Sequence, residues 1–344
     1  MANNINFGKI YDSTWWGVGV TSNNINWGKS YLDLASGGDE RFIISVKTDN
    51  AGTSATNQFT LPTTGTGYAY DIETSDGQTI IGLTSGTTIT FPTAGTYDVF
   101  ISGSFPQCYF NNVGDRLKLL DIKNFGIYAL GSTSQENAFW GCLNMIISAT
   151  DIGHFENVTN FIRAWRDCSS LTSFPPINTS SGISFIQAWY NCSSLTSFPL
   201  IDTSIASNFS FAWQLCSSLT SFPLLDTSSV TKFDFSWRFC SSLTSFPPIN
   251  TSNGTIFQSC WQSCSSLTSF PSNLFDTNTA TNYLSSFTST NLTTQSIDDI
   301  LVSLDTSGVS NGTFNQSGGQ GPSTTGQNAI TTLTNRGWTI TTTT

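Results

Sequence analysis

The sequence predicts a mixed α/β repeat protein: an N-terminal antiparallel β-sandwich, a solenoid of 24-residue repeats, and a C-terminal cap. Three observations predict it. The phrase "CSSLTSFP" stands at 168–175 and returns at 192–199, 216–223, 240–247 and 264–271, each copy 24 residues after the last. Upstream, short β-prone runs alternate with Gly, Thr, Asp and Asn turns. Downstream, the repeat gives way to two helix-prone segments and a Thr-rich end.

Residues 1–35 come first. "NNINFGK" (3–9) returns as "NNINWGK" (23–29) around "TWWGVGV". So many aromatics cannot all be buried within so short a segment. Phe7, Trp15, Trp16 and Trp27 are therefore candidates for docking on another protein. The competing expectation is an extra strand pair completing the sandwich. Residues 36–106 follow, with "RFIISVKTDN", "NQFTLPTT", "YAYDIET", "TIIGLTS", "TTITFPTAG" and "TYDVFISGSF" as six strands of the sandwich. "LKLLDIKNFG" (117–126) is expected to lead into the solenoid, which spans 107–292.

Aligning the copies on their cysteine defines the solenoid's interior. Phenylalanine lies seven places upstream and tryptophan three places upstream in every copy. The resulting core ladder is Phe161, Trp165, Cys168; Phe185, Trp189, Cys192; Phe209, Trp213, Cys216; Phe233, Trp237, Cys240; and Phe257, Trp261, Cys264. Positions 0, 4 and 7 share one face of a helix, so each unit is expected to hold a short helix. Leu-Thr-Ser-Phe reads as a brief extended segment closed by proline. Neither could bury its apolar face alone, and stacking solves this. The cysteines are expected to stack about 4.8 Å apart as buried free thiols. The pairing of Cys108, Cys142 and Cys260 stays open. The Asn/Asp-Thr-Ser triplets are expected to close turns through backbone amides, because Asn178 and Asn250 alternate with Asp202 and Asp226. In the cap, 293–344, "SIDDILVSL" reads as a helix behind a Ser296 cap, followed by a helix ending at Arg336-Gly337 and a last strand.

The pattern in "AWRDCSSLTSFP" and "AWYNCSSLTSFP" resembles the BspA-like leucine-rich repeats, over about 135–292, and "NRGWTI" resembles that family's C-terminal end. "AGTYDVFISG" resembles the closing strand of PKD-type, immunoglobulin-like modules. The first resemblance implies a leucine-rich-repeat surface adhesin, of a kind also encoded by phages, with no catalytic residues to carry over. The aromatic N-terminal segment resembles the attachment ends of phage fibre proteins, which are commonly trimers. A homo-oligomer is expected on that ground, although nothing in the sequence specifies three chains.

Composition narrows the function. Charged residues are only 10% of the chain and the net charge is −10, so a phosphate-binding cationic cluster is not expected, nor is nucleic acid as a partner. No run approaches a membrane span, and no secretory signal opens the sequence. The single histidine, His154, is expected to be structural, which leaves no zinc site and no catalytic triad. Adjacent Asp298 and Asp299 suit solvation or helix-start charge. No cofactor, metal or enzymatic activity is expected.

The expectation is a non-enzymatic phage virion adhesin, a tail-fibre or head-fibre protein assembled in the host cytoplasm. It would bind other virion proteins through its N-terminal segment and a host-surface glycan or protein through the repeats. The candidate surface-binding rows are Thr172, Ser173, Thr196, Ser197, Thr220, Ser221, Thr244, Ser245, Thr268 and Ser269. Their uncharged hydroxyls can meet a glycan's hydroxyls at little desolvation cost; simple β-propensity and solubility explain them equally well. The alternatives are a structural virion protein, such as a capsid decoration or tail-tip subunit, and a bacterial surface adhesin.

Overall fold

Strand β1 (Phe42–Lys47) places Phe42, Ile44 and Val46 on one buried face, the two-residue period of a half-covered strand. The computed structural model describes residues 39–344. The expectations for 1–35, including Phe7, Trp15, Trp16 and Trp27, lie outside the described residues. β2 (Gln58–Leu61), β3 (Ala69–Thr74), β4 (Thr79–Leu83), β5 (Thr87–Thr90) and β6 (Thr96–Ser104) follow. β7 (Leu119–Asn124) and β8 (Ile146–Ile147) complete a six-stranded sheet of order β4-β3-β6-β1-β7-β8. β2 and β5 pair separately, and their Phe59, Leu61 and Ile89 join the same buried cluster.

This arrangement corrects the first part of the expected fold. The six expected runs are strands, but they do not make a self-contained immunoglobulin-like sandwich. β1 is central, flanked by β6 and by β7 from beyond residue 106. β6 is internal rather than closing, and β7 pairs in parallel with β8. The segment expected to enter a solenoid is thus a strand of the first sheet. A buried polar knot ties the two sides. Asp115 accepts from Thr53 N (2.8 Å), Ser54 N (3.0 Å) and Thr60 N (2.7 Å), while Lys118 Nζ donates to the carbonyls of Ala55 and Gln58, both at 2.8 Å. The glycine at 52 is required here, because a Cβ would collide with Asp115 and Lys118.

The mixed α/β fold with a leucine-rich-repeat solenoid is also overturned. Regular structure among the described residues is mostly sheet, and the two helices both lie beyond residue 292. None of the three sheets is assembled from the Leu-Thr-Ser segments. Each 24-residue unit is instead a chain of tight turns. Ala164 N donates to Phe161 O (3.1 Å) and Cys168 N to Trp165 O (3.2 Å). The intervening amides leave the unit: Phe161, Arg163, Trp165 and Asp167 donate to the carbonyls of Ser184, Ile186, Ala188 and Tyr190, at 2.7–2.9 Å. The next unit repeats the scheme, with Trp189 N to Ala212 O at 2.9 Å. Isolated parallel bridges run Ser134–Asn160–Ser184–Asn208–Lys232–Ile256.

Why no helix forms is visible in the backbone. Arg163 and Asp167 have φ of 54° and 61°, and the same two places are left-handed in every unit, through Ser259 and Ser263 at 52° and 62°. A left-handed residue every fourth position breaks an α-helix. The succession of turns nevertheless buries Phe161, Ala164, Trp165, Cys168 and Leu171, the spacing of a helix face.

After the repeats, β9 (Asn282–Thr288), β10 (Thr313–Ser317) and β11 (Thr339–Thr341) form a parallel sheet of order β11-β10-β9. β9 accepts the last unit's amides, with Phe257 N to Asn282 O at 3.1 Å and Trp261 N to Ser286 O at 3.0 Å. Helix α1 (Thr294–Thr306) is capped by Thr293 rather than the expected Ser296, whose amide donates to the Thr293 hydroxyl. Helix α2 (Thr324–Asn335) is capped by Ser323.

Candidate functional site

Each unit places four kinds of side chain at fixed stations. Inside, all five tryptophans and all five ladder cysteines are fully buried, as are the ladder phenylalanines. Neighbouring indoles stack at 5.4–5.8 Å and 5–7°. A phenylalanine from the end of each phrase stands edge-to-face between successive indoles; Phe174, for example, lies 4.7 Å from Trp165 and 5.3 Å from Trp189. The indole Nε1 of every ladder tryptophan is buried without a hydrogen-bond partner among the described residues.

All eight cysteines are free and buried. The ladder thiols donate to the backbone one unit back, as Cys192 Sγ does to Trp165 O at 3.2 Å. Burial pushes the Cys216 and Cys264 thiols up to about 12, and the other ladder thiols move the same way. Such thiols are packing groups, not nucleophiles. Cys260 occupies the station of Ala164, Ala188, Ala212 and Ser236, and Cys108 and Cys142 lie near the first sheet.

Outside, the candidate hydroxyl rows split into two kinds. Thr172, Thr196, Thr220 and Thr244 are exposed, and Thr268 is half-buried. Thr196 Oγ1 donates to Thr172 O, and Thr220 Oγ1 to Thr196 O, both at 3.2 Å; Thr244 and Thr268 continue the chain at 3.5 and 3.3 Å. These hydroxyls are therefore engaged as donors along the stack. Ser173, Ser197, Ser221, Ser245 and Ser269 are exposed, and their hydroxyls have no partner among the described residues. Three residues beyond the first four of these serines runs an exposed apolar row, Pro176, Leu200, Leu224 and Pro248, with Leu200 66% and Leu224 57% exposed.

The triplets behave as turn closers. Asn178, Asp202, Asp226 and Asn250 each accept through Oδ1 from the amide two residues on, at 2.9–3.1 Å. The following threonine donates to the next unit, as Thr203 Oγ1 does to Asp226 O at 2.6 Å. Of the two roles expected of Asp298, solvation and helix-start charge, the first does not hold, and its charge sits at the start of α2 instead of its own helix. Asp298 is buried and accepts from Ser323 N (3.0 Å), Ser323 Oγ (2.5 Å) and Gly326 N (3.1 Å), joining α1 to the start of α2. His154 is partly covered, with Nδ1 3.6 Å from Glu156. Among the described residues no group of acidic, histidine and cysteine side chains has a metal-binding arrangement.

A further set of side chains was missed by reading only the invariant letters. The segments 160–168, 184–192, 208–216, 232–240 and 256–264 keep their inward residues, while their outward residues change from unit to unit. They gather on one side of the stack. The Arg166 guanidinium lies 4.9 Å from the Trp140 ring and 4.5 Å from the Tyr190 ring. Arg163 Nε donates to Gln187 Oε1 (2.8 Å), as does Arg166 Nη1 (2.7 Å). Asp167 accepts from Trp140 Nε1 (3.0 Å) and Asn191 Nδ2 (2.9 Å). Further along, Phe211 stacks on Phe235 at 4.7 Å, and Arg238 lies over Phe239 at 4.6 Å. The signal that could have found this face was the variation between units. No family model, no curated protein and no solved structure matches this chain.

Proposed function

We propose that the chain is a non-enzymatic adhesin of a phage particle, held to other virion proteins by its N-terminal part and offering its repeated region to a host-surface glycan or protein. One observation carries this reading: a fully buried, unit-by-unit aromatic core holds exposed rows at one side chain per unit, among them serine hydroxyls with no partner among the described residues. Such rows are fixed before a ligand arrives, so binding forfeits little ordering entropy. A homo-oligomer belongs to the same proposal.

The test uses the full chain, because β1 pairs with β7 and a fragment starting at 107 would lose that strand. Particles labelled at the C-terminus are imaged, and the purified chain is applied to a glycan array and to host cells. A label at the outer tip with binding to either surface supports the reading. A chain that rides on the particle and binds nothing sinks it.

A second reading is favoured by the exposed row of Leu200 and Leu224, apolar side chains that suit burial against a neighbouring subunit. In that case the chain is a structural virion component. Protection of that row from labelling in the intact particle, without host binding, decides for it.

A further inference from the structure

The repeats carry their own comparison. Five copies of one unit must satisfy the same packing, so positions that stay constant are those the stack itself requires. Between residues 169 and 179 and their equivalents almost nothing changes. The hydroxyl rows fall in that constant stretch, and their regularity needs no partner to explain it. In the turn segments, two variable stations read Arg163, Gln187, Phe211, Phe235, Ser259, and Arg166, Tyr190, Gln214, Arg238, Gln262, of which Gln214 and Ser259 are buried and the rest half-buried. Their side chains touch the next unit, as Arg163 does Gln187 and Phe211 does Phe235, yet the stack accepts different residues there, so their identity is open to selection by something else.

Two features say these residues are kept at a cost. The stations of Arg163 and Asp167 have left-handed backbone in each segment, where glycine or asparagine is least strained. Yet the chain holds Phe211 at φ 60°, Leu215 at 66°, Phe235 at 58° and Phe239 at 64°. Bulky side chains in a disfavoured conformation mark a surface whose contacts matter more than its stability. The second feature is charge. In a chain of net charge −10, all four Lys and Arg residues between 135 and 292 (Arg163, Arg166, Lys232 and Arg238) lie in these segments. Arg166 is matched by Asp167, but Arg163 and Arg238 form no ion pair among the described residues. Arg238 Nε and Gln214 Oε1, one unit apart, are buried without partners among the described residues.

We infer that this variable face is the recognition surface and that it takes an anionic polysaccharide, lying along the stack with carboxylates on Arg163 and Arg238. The inference deepens the adhesin reading and rests on it. Arginine presents a planar fork that fits a carboxylate. Aromatic rings such as Tyr190 and Phe211 cover the apolar faces of sugars, and half-buried Gln262 supplies an amide to bond hydroxyls. Arg163 and Arg238 lie three units apart along the stack, at roughly 4.8 Å per unit; an extended polyanion can bring a carboxylate to each, whereas a folded acidic protein offers no such continuous line.

The experiment measures retention of the full chain on immobilised polygalacturonate, neutral dextran and poly-glutamate. The expected result is binding to polygalacturonate that weakens with added salt. It falls at least tenfold in the double variant Arg163→Gln/Arg238→Gln, falls less in Arg163→Lys/Arg238→Lys, and is unchanged in Ile81→Ser on the first sheet; a serine variant, Ser197→Ala/Ser221→Ala, tests the constant rows. A thermal midpoint within a few degrees of the unmodified chain shows that each variant is folded. Equal retention on poly-glutamate overturns the inference in favour of an acidic protein. Loss of binding in the serine variant, with none in the arginine variant, moves recognition to the constant rows and also overturns it. Binding to dextran alone overturns it and leaves the adhesin reading standing; binding to none of the three overturns it as well, and the adhesin reading is then decided by the glycan array and host cells.

Discussion

The indoles of Trp189 and Trp213 lie parallel, 5.4 Å between centroids and 6° between planes, and the Nε1 of each is buried without a partner among the described residues. The ladder therefore uses tryptophan for its area and shape. Its polar edge is a liability, since a buried unpaired donor costs about 1–3 kcal/mol. Substituting Trp213→Phe removes ring area and the orphan N–H together, so the two changes offset. We expect Trp213→Phe to cost under about 2 kcal/mol, against about 3–5 kcal/mol for Trp213→Ala. Thermal unfolding of the two variants checks this. Equal losses would show that the indole nitrogen has a partner after all.

Alkaline pH should loosen the stack. The Cys216 and Cys264 thiols ionise near 9.0 when unfolded and at about 12 in place, because burial disfavours the thiolate. The folded state thus holds the proton more tightly. Their contribution is complete below about pH 9 and is lost as pH rises towards 12. We expect stability to fall steeply across that window and less steeply in Cys216→Ala/Cys264→Ala. An aromatic thiol reagent at pH 8 should label no cysteine in the native chain and all eight in denaturant. Rapid native labelling would contradict the burial on which the argument stands.

The knot at Asp115 should govern the acid side. Burial raises its pKa, but hydrogen bonds from Ser54 and Thr60 and the nearby Lys118 charge outweigh burial and hold it below 3.8. With the folded value depressed, its stabilisation is present above the unfolded value and fades as pH falls through it. Asp115→Asn leaves Lys118, 1% exposed, without its counter-charge. Breaking such a pair costs about 3–5 kcal/mol. The variant should lose that much at pH 7 and much less near pH 2, read by urea unfolding at both. An equal loss at both would mean the carboxylate's charge is irrelevant.

What the sequence made legible follows from which interactions repeat. Phe161, Trp165 and Cys168 could be placed in one interior row because every copy keeps them, and all three are fully buried. The conformation that puts them there was not legible. A helix and a run of four-residue turns bury the same stations, and only the backbone sign at Arg163 and Asp167 separates them. Arg and Asp carry no mark of a left-handed φ as glycine would. The first sheet was misread for a different reason. Its six early strands are locally coded, but the pairing of β1 with β7 joins Ile44 to Ile122 across 78 residues, which no local pattern announces. The variable face escaped notice because regularity drew the eye to the hydroxyl rows.

The same left-handed stations supply a test of stability against retained contacts. Leu215 sits at φ 66°, where Asn191 sits at 57° in the unit before and donates to Asp167. A left-handed conformation costs a residue with a plain Cβ roughly 1–2 kcal/mol, and asparagine relieves part of this through local hydrogen bonding. Leu215 is only half-buried, so its packing is worth less than that of a core leucine. We expect Leu215→Asn to raise stability by about 0.5–1 kcal/mol, and Leu215→Ala, which keeps the backbone penalty and loses contacts, to lower it. Calorimetry on the two variants should place Asn above the parent chain and Ala below it. The ranking Ala above Asn would show that the backbone sign is not what limits stability at this face. Bulky residues would then not be held there against strain.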